Sequence, residues 1–277
     1  MYLLFDIGGT KMRLALSKDG EVFNEPKVVP TPKDFTEAMK VFKEVADGLL
    51  EGRSIEKAVG GMRGPFNKDK TIIVNSSALP LWDNKPLKEE LEKAVGAPVF
   101  IENDTAIVGL GEMHSGAGKG AEIGVYITVS TGVGGARFVD GKIDKSTFGF
   151  EPGHQIVDIE EDGDPVSLED LVSGTALEER TGKKAYEVTD PAIWDELAKT
   201  FAYGLYNIIL QWSPSIVVLG GPMIVGDPSM DVEVIKKYLN EINTKFPELP
   251  EIKEAELGDF GGLHGALAFI KQQKKVK

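Results

Sequence analysis

The sequence predicts an α/β fold in two lobes, and three observations support this. Short apolar strands alternate with amphipathic helices over residues 1–113, which is the pattern of α/β proteins. The segment Ile216–Leu219 is wholly apolar, as expected of a strand in a parallel sheet buried on both faces. At roughly 150 residues per domain, 277 residues suffice for two lobes. The small, glycine-rich break Ser115–Gly120 is the candidate boundary, so we expect lobes over 1–114 and 115–264.

The first lobe is predicted to open with a hairpin. Tyr2–Ile7 and Met12–Leu16 have the composition of strands, and Gly8-Gly9-Thr10-Lys11 turns the chain between them. A helix over 34–52 follows, because apolar residues recur there every three or four positions. The remaining elements of this lobe are expected to be a strand over 57–62, a helix over 86–95, a strand over 98–101 and a helix from 105 to 113.

The second lobe repeats the opening pattern of the first. A strand over 123–129, a polar glycine loop over 130–135 and a strand over 136–139 suggest a duplicated architecture. The longest helix is predicted from Asp190, its N-cap, to Trp212, with proline in its first turn. The remaining elements are expected to be a strand over 216–219, a helix over 230–246 and a helix over 265–277.

Composition restricts the class of protein. The chain carries 31 Lys+Arg against 44 Asp+Glu, and a net charge of −13 disfavours nucleic acid or an anionic membrane surface as the main partner. The absence of cysteine excludes disulfides, thiolate zinc sites and cysteine nucleophiles. No stretch approaches the roughly 20 apolar residues of a membrane span, and the first residues do not resemble a signal peptide. We therefore expect a cytoplasmic protein.

Two glycine-rich turns are candidate phosphate-binding loops. In Gly8–Lys11 and Thr131–Gly135, the missing Cβ atoms let backbone N–H groups approach a phosphate. Neither turn has the Gly-x4-Gly-Lys-Ser/Thr pattern, and a single glycine turn is more commonly only a hairpin. Asp6 ends a buried strand, where a charge is costly unless it meets a cation. A Mg²⁺ held largely through water fits that position.

Two further polar groups are candidate substrate contacts. Asn103-Asp104 lies where a strand opens onto a helix, the usual place for sites in open α/β sheets. The alternative is that Asp104 caps this helix, and the two roles are compatible. Glu151, His154 and Glu169 offer two carboxylates and an imidazole, which suits a polyol. The alternative for His154 is a structural loop histidine, and His114 and His264 are interpreted as structural.

Six motifs together resemble one family. They are Phe5–Lys11, Ile101–Asp104, Thr131–Gly135, Glu151–His154, Val217–Gly221 and Gly258–Ala266. In this order and at these separations they resemble the ROK family of sugar kinases and sugar-responsive repressors. That family belongs to the actin-like, ribonuclease H-like ATPase superfamily. The resemblance covers nearly the whole chain and implies a two-lobed fold with the sugar in the interlobe cleft and the C-terminal helix, 265–277, returning to the first lobe.

The resemblance also implies a function and a role for individual residues. It implies transfer of the γ-phosphoryl group of ATP, with Mg²⁺, to the 6-hydroxyl of a hexose, with glucose as the first candidate. Asp104 matches the catalytic base and Asp6 the residue near Mg²⁺. The nucleotide-binding positions are Gly9, Thr10, Lys11, Thr131, Gly132, Gly134, Gly220 and Gly221. The sugar-binding positions are Gly64, Asn103, Asp104, Glu151, His154 and Glu169.

The chain departs from the family pattern at three places. Arg63 replaces a proline of the Gly-x-Pro-Gly-Pro loop, and Ala78 replaces an asparagine of the Asn-Leu-Pro-x-Trp segment. Most members also have a cysteine-rich zinc module between the histidine and the second glutamate. Here 155–168 contains no cysteine, so a zinc site is not expected and this segment must be held in another way.

Other functions remain open at this stage. The acceptor is alternatively fructose, mannose, allose or an N-acetylated hexosamine. A non-catalytic, sugar-binding regulator is a second hypothesis, but repressors of the family carry a DNA-binding segment ahead of the first motif, and only five residues precede Asp6 here. A kinase of a carboxylate acceptor is a third, disfavoured because Glu151 and Glu169 would repel an anion. A homodimer is a further expectation, since dimers are common in the family.

Overall fold

The computed structural model describes residues 1–76, 78–160 and 162–274. These residues fold into two units. Unit 1 contains Met1–Ser115, Lys145–Gly149 and the chain from Leu257 onward, and unit 2 contains Gly116–Asp144 and Phe150–Glu256. Residues 275–277, the predicted end of the last helix, lie outside the described residues.

The elements alternate along the chain as follows. The strands are β1 (Tyr2–Ile7), β2 (Lys11–Ser17), β3 (Lys27–Pro30), β4 (Lys57–Met62), β5 (Val99–Asn103), β6 (Ile123–Val129), β7 (Val133–Val139), β8 (Lys142–Ile143), β9 (Ile156–Ile159), β10 (Pro165–Ser167), β11 (Ile216–Gly220) and β12 (Glu251–Glu254). The helices are α1 (Phe35–Leu50), α2 (Leu87–Val95), α3 (Asp104–Ser115), α4 (Leu168–Val172), α5 (Gly174–Thr181), α6 (Pro191–Trp212), α7 (Pro222–Val225), α8 (Val232–Ile242) and α9 (Gly261–Lys274). Over the described ranges, no helix combines the length and apolarity needed to cross a membrane.

The two units have the same sheet topology. The strand order is β3-β2-β1-β4-β5 in unit 1 and β8-β7-β6-β11-β12 in unit 2. In each sheet the first two strands form an antiparallel hairpin, and two further strands add to it in parallel. The predicted duplication of architecture and the predicted α/β class are both confirmed.

The core of unit 1 lies on both faces of its sheet. Side chains of β1 alternate between the faces, so Leu3, Phe5 and Ile7 join the cluster that contains α1 and α2. Tyr2 and Leu4 join the opposite cluster, which is covered by α9. By the same alternation, Asp6 lies on the face covered by α9.

Glycines on α9 and α3 let these helices pack at close range. The helix begins at Gly261 rather than at the predicted 265, because its first glycines are packing positions and not a loop. A Cβ on Gly262 would lie 2.7 Å from Cγ of Asp6, and one on Gly265 would overlap the carbonyl oxygen of Ile107. A Cβ on Gly111 of α3 would lie 2.8 Å from the carbonyl oxygen of Gly261. The glycine-rich motif therefore seats α9 against Asp6.

Two predicted boundaries in unit 2 are also corrected. Strand β7 begins at Val133 rather than at 136, so the predicted loop 130–135 shrinks to Ser130–Gly132. Helix α8 is shorter than the predicted 230–246, because Asp231 caps its start and Asn243 follows its end. The Asn243 side chain binds the N–H of Phe246 at 3.2 Å and so favours a turn over another helical residue. The N-cap and first-turn proline of α6 are confirmed.

A hairpin orders the segment where most family members carry zinc. Strands β9 and β10 pair in antiparallel fashion, and residue 161 lies outside the described residues. Ser167 then caps α4 and forms a capping box with Asp170. At the other end, the amide of Asn207 donates to the Gln155 side chain at 3.1 Å. Backbone pairing and a helix cap therefore hold the described residues of this segment, 155–160 and 162–168.

The glycine contacts of α9 predict an asymmetric response to added methyl groups. Gly265→Ala should lower the free energy of unfolding by about 2 kcal/mol or more, because its Cβ overlaps the Ile107 backbone. Gly48→Ala is the matched control at an exposed position inside α1, where nothing lies within 4 Å of the new Cβ. It should gain about 0.5–1 kcal/mol. Urea unfolding measures both, and a Gly265→Ala protein as stable as wild type would contradict this packing.

Candidate functional site

The ends of three parallel strands line one edge of the unit 1 sheet. Ile7 pairs with Met62, and Met62 pairs with Asn103, so β1, β4 and β5 end side by side. The next residues along the chain are Gly8, Arg63 and Asp104. Sheet register therefore brings the first glycine turn and the predicted base to the same edge, where open α/β sheets commonly bind ligands.

The first glycine turn is held by the segment that follows β3. The Thr31 hydroxyl donates to the carbonyl of Gly8 at 2.8 Å, Lys33 Nζ donates to that of Gly9 at 3.0 Å, and the Thr31 N–H donates to that of Thr10 at 2.9 Å. In a trans peptide the following N–H points opposite to the carbonyl. The N–H groups after these three carbonyls thus point away from this segment, an arrangement suited to an anion.

Sequence reasoning missed Thr31 and Lys33. No motif marks them, because they act on backbone carbonyls and not on a recognisable ligand pattern. Lys33 Nζ also donates to the carbonyl of Ala78 at 3.1 Å, and its own carbonyl accepts from the Trp82 indole at 3.1 Å. Lys33 therefore ties the glycine turn to the segment around Ala78, where the family pattern is broken.

Asp6 is a buried carboxylate with a cationic partner. It is 8% exposed, and its Oδ2 accepts from Arg13 at 3.2 Å. Burial raises its pKa to about 7, with the charge of Asp104 adding to the increase and Arg13 opposing it. Arg13 also lies 3.7 Å from the exposed carboxylate of Asp259. A further cation beside Asp6 would stabilise the ionised carboxylate, because it would oppose the effects of burial and of the Asp104 charge on its pKa.

The single carboxylate of Asp6 fits Mg²⁺ if water and substrate phosphates supply the other ligands. Among the described residues, no group of three or more His, Cys, Asp or Glu side chains could hold a metal ion. Mg²⁺ in phosphoryl-transfer sites is commonly held by one or two carboxylates together with water and substrate phosphates. A single buried aspartate beside an anion-facing turn is consistent with that mode, in which Asp6 would hold the ion through water.

Asn103 and Asp104 divide two tasks at the start of α3. The Asn103 amide oxygen accepts from the N–H groups of Thr105 and Ala106, at 2.9 and 3.2 Å. The predicted alternative, capping by Asp104, therefore falls mainly to Asn103, whose Nδ2 also faces the Gly64 carbonyl at 3.4 Å. Burial raises the pKa of Asp104, while Arg63 and hydrogen bonds from Thr105 oppose the rise. Asp104 is a carboxylate suited to accept a proton.

In unit 2 the second glycine loop contacts Glu169. The Glu169 carboxylate accepts from the N–H of Val133 at 2.6 Å, and a Cβ on Gly132 would lie 2.6 Å from its Oε2. The loop is further held by the Thr175 hydroxyl, which donates to the carbonyl of Thr131 at 2.6 Å. Gly134 lies inside β7. The structure therefore joins one predicted sugar ligand to the predicted second phosphate loop.

The remaining predicted residues of unit 2 lie on tight turns. Pro152–His154 is a single 3₁₀ turn, and a Cβ on Gly153 would overlap the backbone of Val133. This places exposed Glu151 and His154 beside the same strand start that Glu169 contacts. Gly220 ends β11, and Gly221 has φ of +86° with its Cβ position against the backbone of Val129. Glycine is required at 221 for this conformation.

Comparisons with known proteins agree with this arrangement. A model of the ROK family matches residues 2–273. A glucokinase of Thermotoga maritima is 28% identical over 97% of this chain and 96% of its own length. A fructokinase of Lactococcus lactis subsp. cremoris is 29% identical over 94% of this chain and 95% of its own length. The crystal structure of a ROK family glucokinase from Streptomyces griseus with glucose and AMPPNP has a TM-score of 0.78 at 26% identity, covering 98% of this chain and 99% of that one.

The duplicated α/β units, each opening with a glycine-turn hairpin, define a protein of the actin-like ATPase fold. Within that fold, relatives of nearly equal length are sugar kinases. The chain belongs to the ROK family and is a sugar kinase of that family.

The buried charge at Asp6 predicts a pH-dependent effect on stability. Between about pH 4 and 7 the folded, metal-free protein keeps a proton that the unfolded chain releases, so ionisation of Asp6 lowers stability as pH rises. Asp6→Asn removes this cost. The free energy of unfolding of Asp6→Asn minus that of wild type should increase by about 2 kcal/mol from pH 5 to pH 8.

Chemical denaturation in the presence of EDTA measures this difference. Asp69→Asn, at an exposed position, is the control and should show a flat difference over the same range. A flat difference for Asp6→Asn as well would contradict a costly buried charge.

Proposed function

We propose that this sugar kinase transfers the γ-phosphoryl group of ATP to the 6-hydroxyl of a hexose, with glucose as the first candidate acceptor. One observation carries the proposal: the sheet register of unit 1 sets an anion-facing glycine turn and the carboxylate of Asp104 at the same edge. A phosphate donor site beside a general base is what transfer to a hydroxyl requires.

The donor side uses the first glycine turn. The N–H groups of Gly9, Thr10 and Lys11 point away from the Thr31–Lys33 segment and would bind phosphate oxygens, with the side chains of Thr10 and Lys11 adding a hydroxyl and a cation. Within unit 2 we assign the same nucleotide-binding role to Thr131, Gly132, Gly134, Gly220 and Gly221. The AMPPNP in the Streptomyces griseus relative supports ATP as the donor.

Asp104 has the chemistry for the acceptor side. Its carboxylate would accept the proton of the sugar hydroxyl as the oxygen attacks the γ-phosphorus, and the bond from phosphorus to the bridging oxygen of ADP breaks. Asp6 would hold Mg²⁺ through water, and the ion when bound neutralises phosphate charge. The tether of Asn103 to the helix start fixes where the Asp104 backbone lies.

The residues that we assign to the sugar form two groups, one in each unit. Asn103 Nδ2 and the Gly64 backbone lie together in unit 1. Glu151, His154 and Glu169 lie around the start of β7 in unit 2. Carboxylates and an imidazole accept hydrogen bonds from hydroxyls but repel an anionic acceptor, which supports a neutral sugar. The fructokinase relative makes fructose a second candidate acceptor. The substrate panel described below distinguishes the two hexoses.

Removal of the base tests the catalytic assignment. Asp104→Asn should lower kcat by about 10²–10⁴-fold while sugar affinity changes little, because the amide keeps the shape but accepts no proton. Asp69→Asn is the exposed control and should retain wild-type turnover. Turnover of Asp104→Asn near that of wild type would remove Asp104 from the mechanism.

A substrate panel tests the reaction class. We expect ADP release coupled to phosphorylation of glucose, with smaller rates for mannose, allose, fructose and N-acetylated hexosamines. If another hexose gives the highest kcat/KM, the acceptor is corrected and the kinase stands. If no sugar stimulates ADP release and the protein binds hexoses without turnover, a sugar-binding regulator is the better description.

The tether of the glycine turn predicts a nucleotide-specific defect. Lys33→Met should raise the Kd for ATP by about tenfold, because a charged donor to the Gly9 carbonyl is lost. Lys33→Arg should restore most of the affinity. Lys40→Met, at an exposed lysine on α1, is the control for loss of one positive charge. Calorimetric titration of ATP checks this, and equal Kd values for the Lys33→Met and Lys40→Met proteins would contradict the tether.

A further inference from the structure

Arg63 is a cation at the site edge of unit 1 to which none of the roles above is assigned. Its N–H donates to the carbonyl of Ile7 at 3.0 Å, which extends the β1–β4 pairing by one residue beyond Met62. The sheet therefore fixes the Arg63 backbone between the glycine turn that follows β1 and the Asp104 carboxylate that follows β5.

The Arg63 side chain runs along that turn. It is half-buried, and its Cδ lies 3.8 Å from the position that a Cβ on Gly9 would occupy. The positive charge beyond Cδ is close enough to Asp104 to oppose the rise that burial causes in the pKa of that carboxyl. The stem thus lies against the donor turn, one strand end away from Asp104.

A second arginine, Arg13, lies at the same edge. Arg13 binds the carboxylate of Asp6 and lies near Asp259, so its charge serves the predicted metal position. The family pattern has proline at the position of Arg63, so no cation is expected there from family resemblance. Ala78, the second residue that departs from the family pattern, lies at the same glycine turn. Its Cβ is 3.0 Å from the position that a Cβ on Gly9 would occupy.

We propose that Arg63 is a catalytic residue that contacts the transferring phosphoryl group on its way from the first glycine turn to the acceptor at Asp104. The proposal rests on the proposed function. In the transition state, negative charge spreads over the three equatorial oxygens of the phosphoryl group, and a guanidinium can donate to two of them at once.

The step balances without any further reactant. The acceptor oxygen forms the new bond to phosphorus, the bond to the bridging oxygen of ATP breaks and its electron pair leaves on ADP, and Asp104 takes the hydroxyl proton. Arg63 gains and loses no proton, because its guanidinium stays charged throughout. Its contribution is electrostatic and is largest when the phosphoryl group lies between donor and acceptor.

Arg63→Met and Arg63→Lys test this role, with Arg180→Met as a control of equal charge change at an exposed site of unit 2. We expect kcat of Arg63→Met to fall about 10²-fold or more while KM for the hexose changes less than about threefold. Arg63→Lys should recover part of the rate, because it restores a charge without the planar fork. Arg180→Met should match wild type. A Met variant with kcat within about threefold of wild type, or with raised sugar KM at unchanged kcat, would overturn the proposal.

A second measurement separates failure of this proposal from failure of the proposed function. ADP with aluminium fluoride and Mg²⁺ mimics the transferring phosphoryl group and needs no turnover. Arg63→Met should bind ADP alone as wild type does, but should lose more than about tenfold in affinity for ADP with aluminium fluoride. Equal losses for both ligands, or none for either, would overturn the role of Arg63 even in an active kinase. Inactivity of wild type on every sugar would instead reject the proposed function. The affinity for ADP with aluminium fluoride would still show whether Arg63 contacts the phosphoryl mimic.

If Arg63→Met does not fold, Arg63→Lys keeps the proposal testable. It preserves the charge and the length of the stem, and its thermal unfolding midpoint reports on folding. We then expect a folded Lys variant with a reduced kcat and a lower affinity for ADP with aluminium fluoride than wild type has, while its affinity for ADP alone is unchanged. A folded Lys variant with wild-type kcat and wild-type fluoride affinity would overturn the specific use of a guanidinium.

Discussion

The alignment of three parallel strand ends in unit 1 is the constraint on which its candidate site depends. Because β1, β4 and β5 are paired in register, the residues that follow them emerge at one edge. This register is possible only where β4 carries no bulk. A Cβ on Gly60 would overlap the Phe5 backbone, and one on Gly61 would collide with Ile107 of α3. The glycines of β4 and α9 therefore allow β1, α3 and Asp6 to pack in contact with them. The candidate site lies at the edge where these elements meet.

Close packing has an electrostatic cost that the surrounding cations offset. Burial raises the pKa of both Asp6 and Asp104, and the charge of Asp104 adds to the rise at Asp6. Arg13 lies on β2 and Arg63 directly follows β4, the two strands that flank β1, and both arginines reduce this cost. In a chain of net charge −13, these arginines with Lys11 and Lys33 place four cations near one edge. The proposed phosphate site depends on such cations, because the protein as a whole repels an anion.

The parts of the fold with local signals were predictable from sequence. The N-cap and proline of α6, the first hairpin and the apolar β11 are each specified by neighbouring residues, and the duplicated order of strands follows from them. Glycines that serve packing resemble glycines that break structure, which is why the starts of α9 and β7 were placed too late. Only the coordinates show that a Cβ on Gly265 would meet Ile107.

The sequence singles out candidate site residues that stand in a motif, but not residues that act on the backbone of the site. Asp6, Asn103 and Asp104 stand in recognisable motifs. Lys33 and Thr31 could not be found this way, because their partners are carbonyl oxygens 23 to 24 residues away and any donor could serve. The capping role of Asn103 was likewise assigned to its neighbour, since both residue types cap helices and only geometry distinguishes them.

The hairpin of unit 2 shows how a segment without cysteine can place a side chain. A zinc site fixes a loop by bonds to a few side chains, whereas here the backbones of β9 (Ile156–Ile159) and β10 (Pro165–Ser167) pair with each other. The strand ends at Ser167, which caps α4 and sets the direction of its first turn. Glu169 in that turn then reaches the N–H of Val133 at 2.6 Å. The hairpin, the cap of α4 and the Glu169 carboxylate are consecutive along the chain. Together they connect the β9–β10 pairing to the second glycine loop.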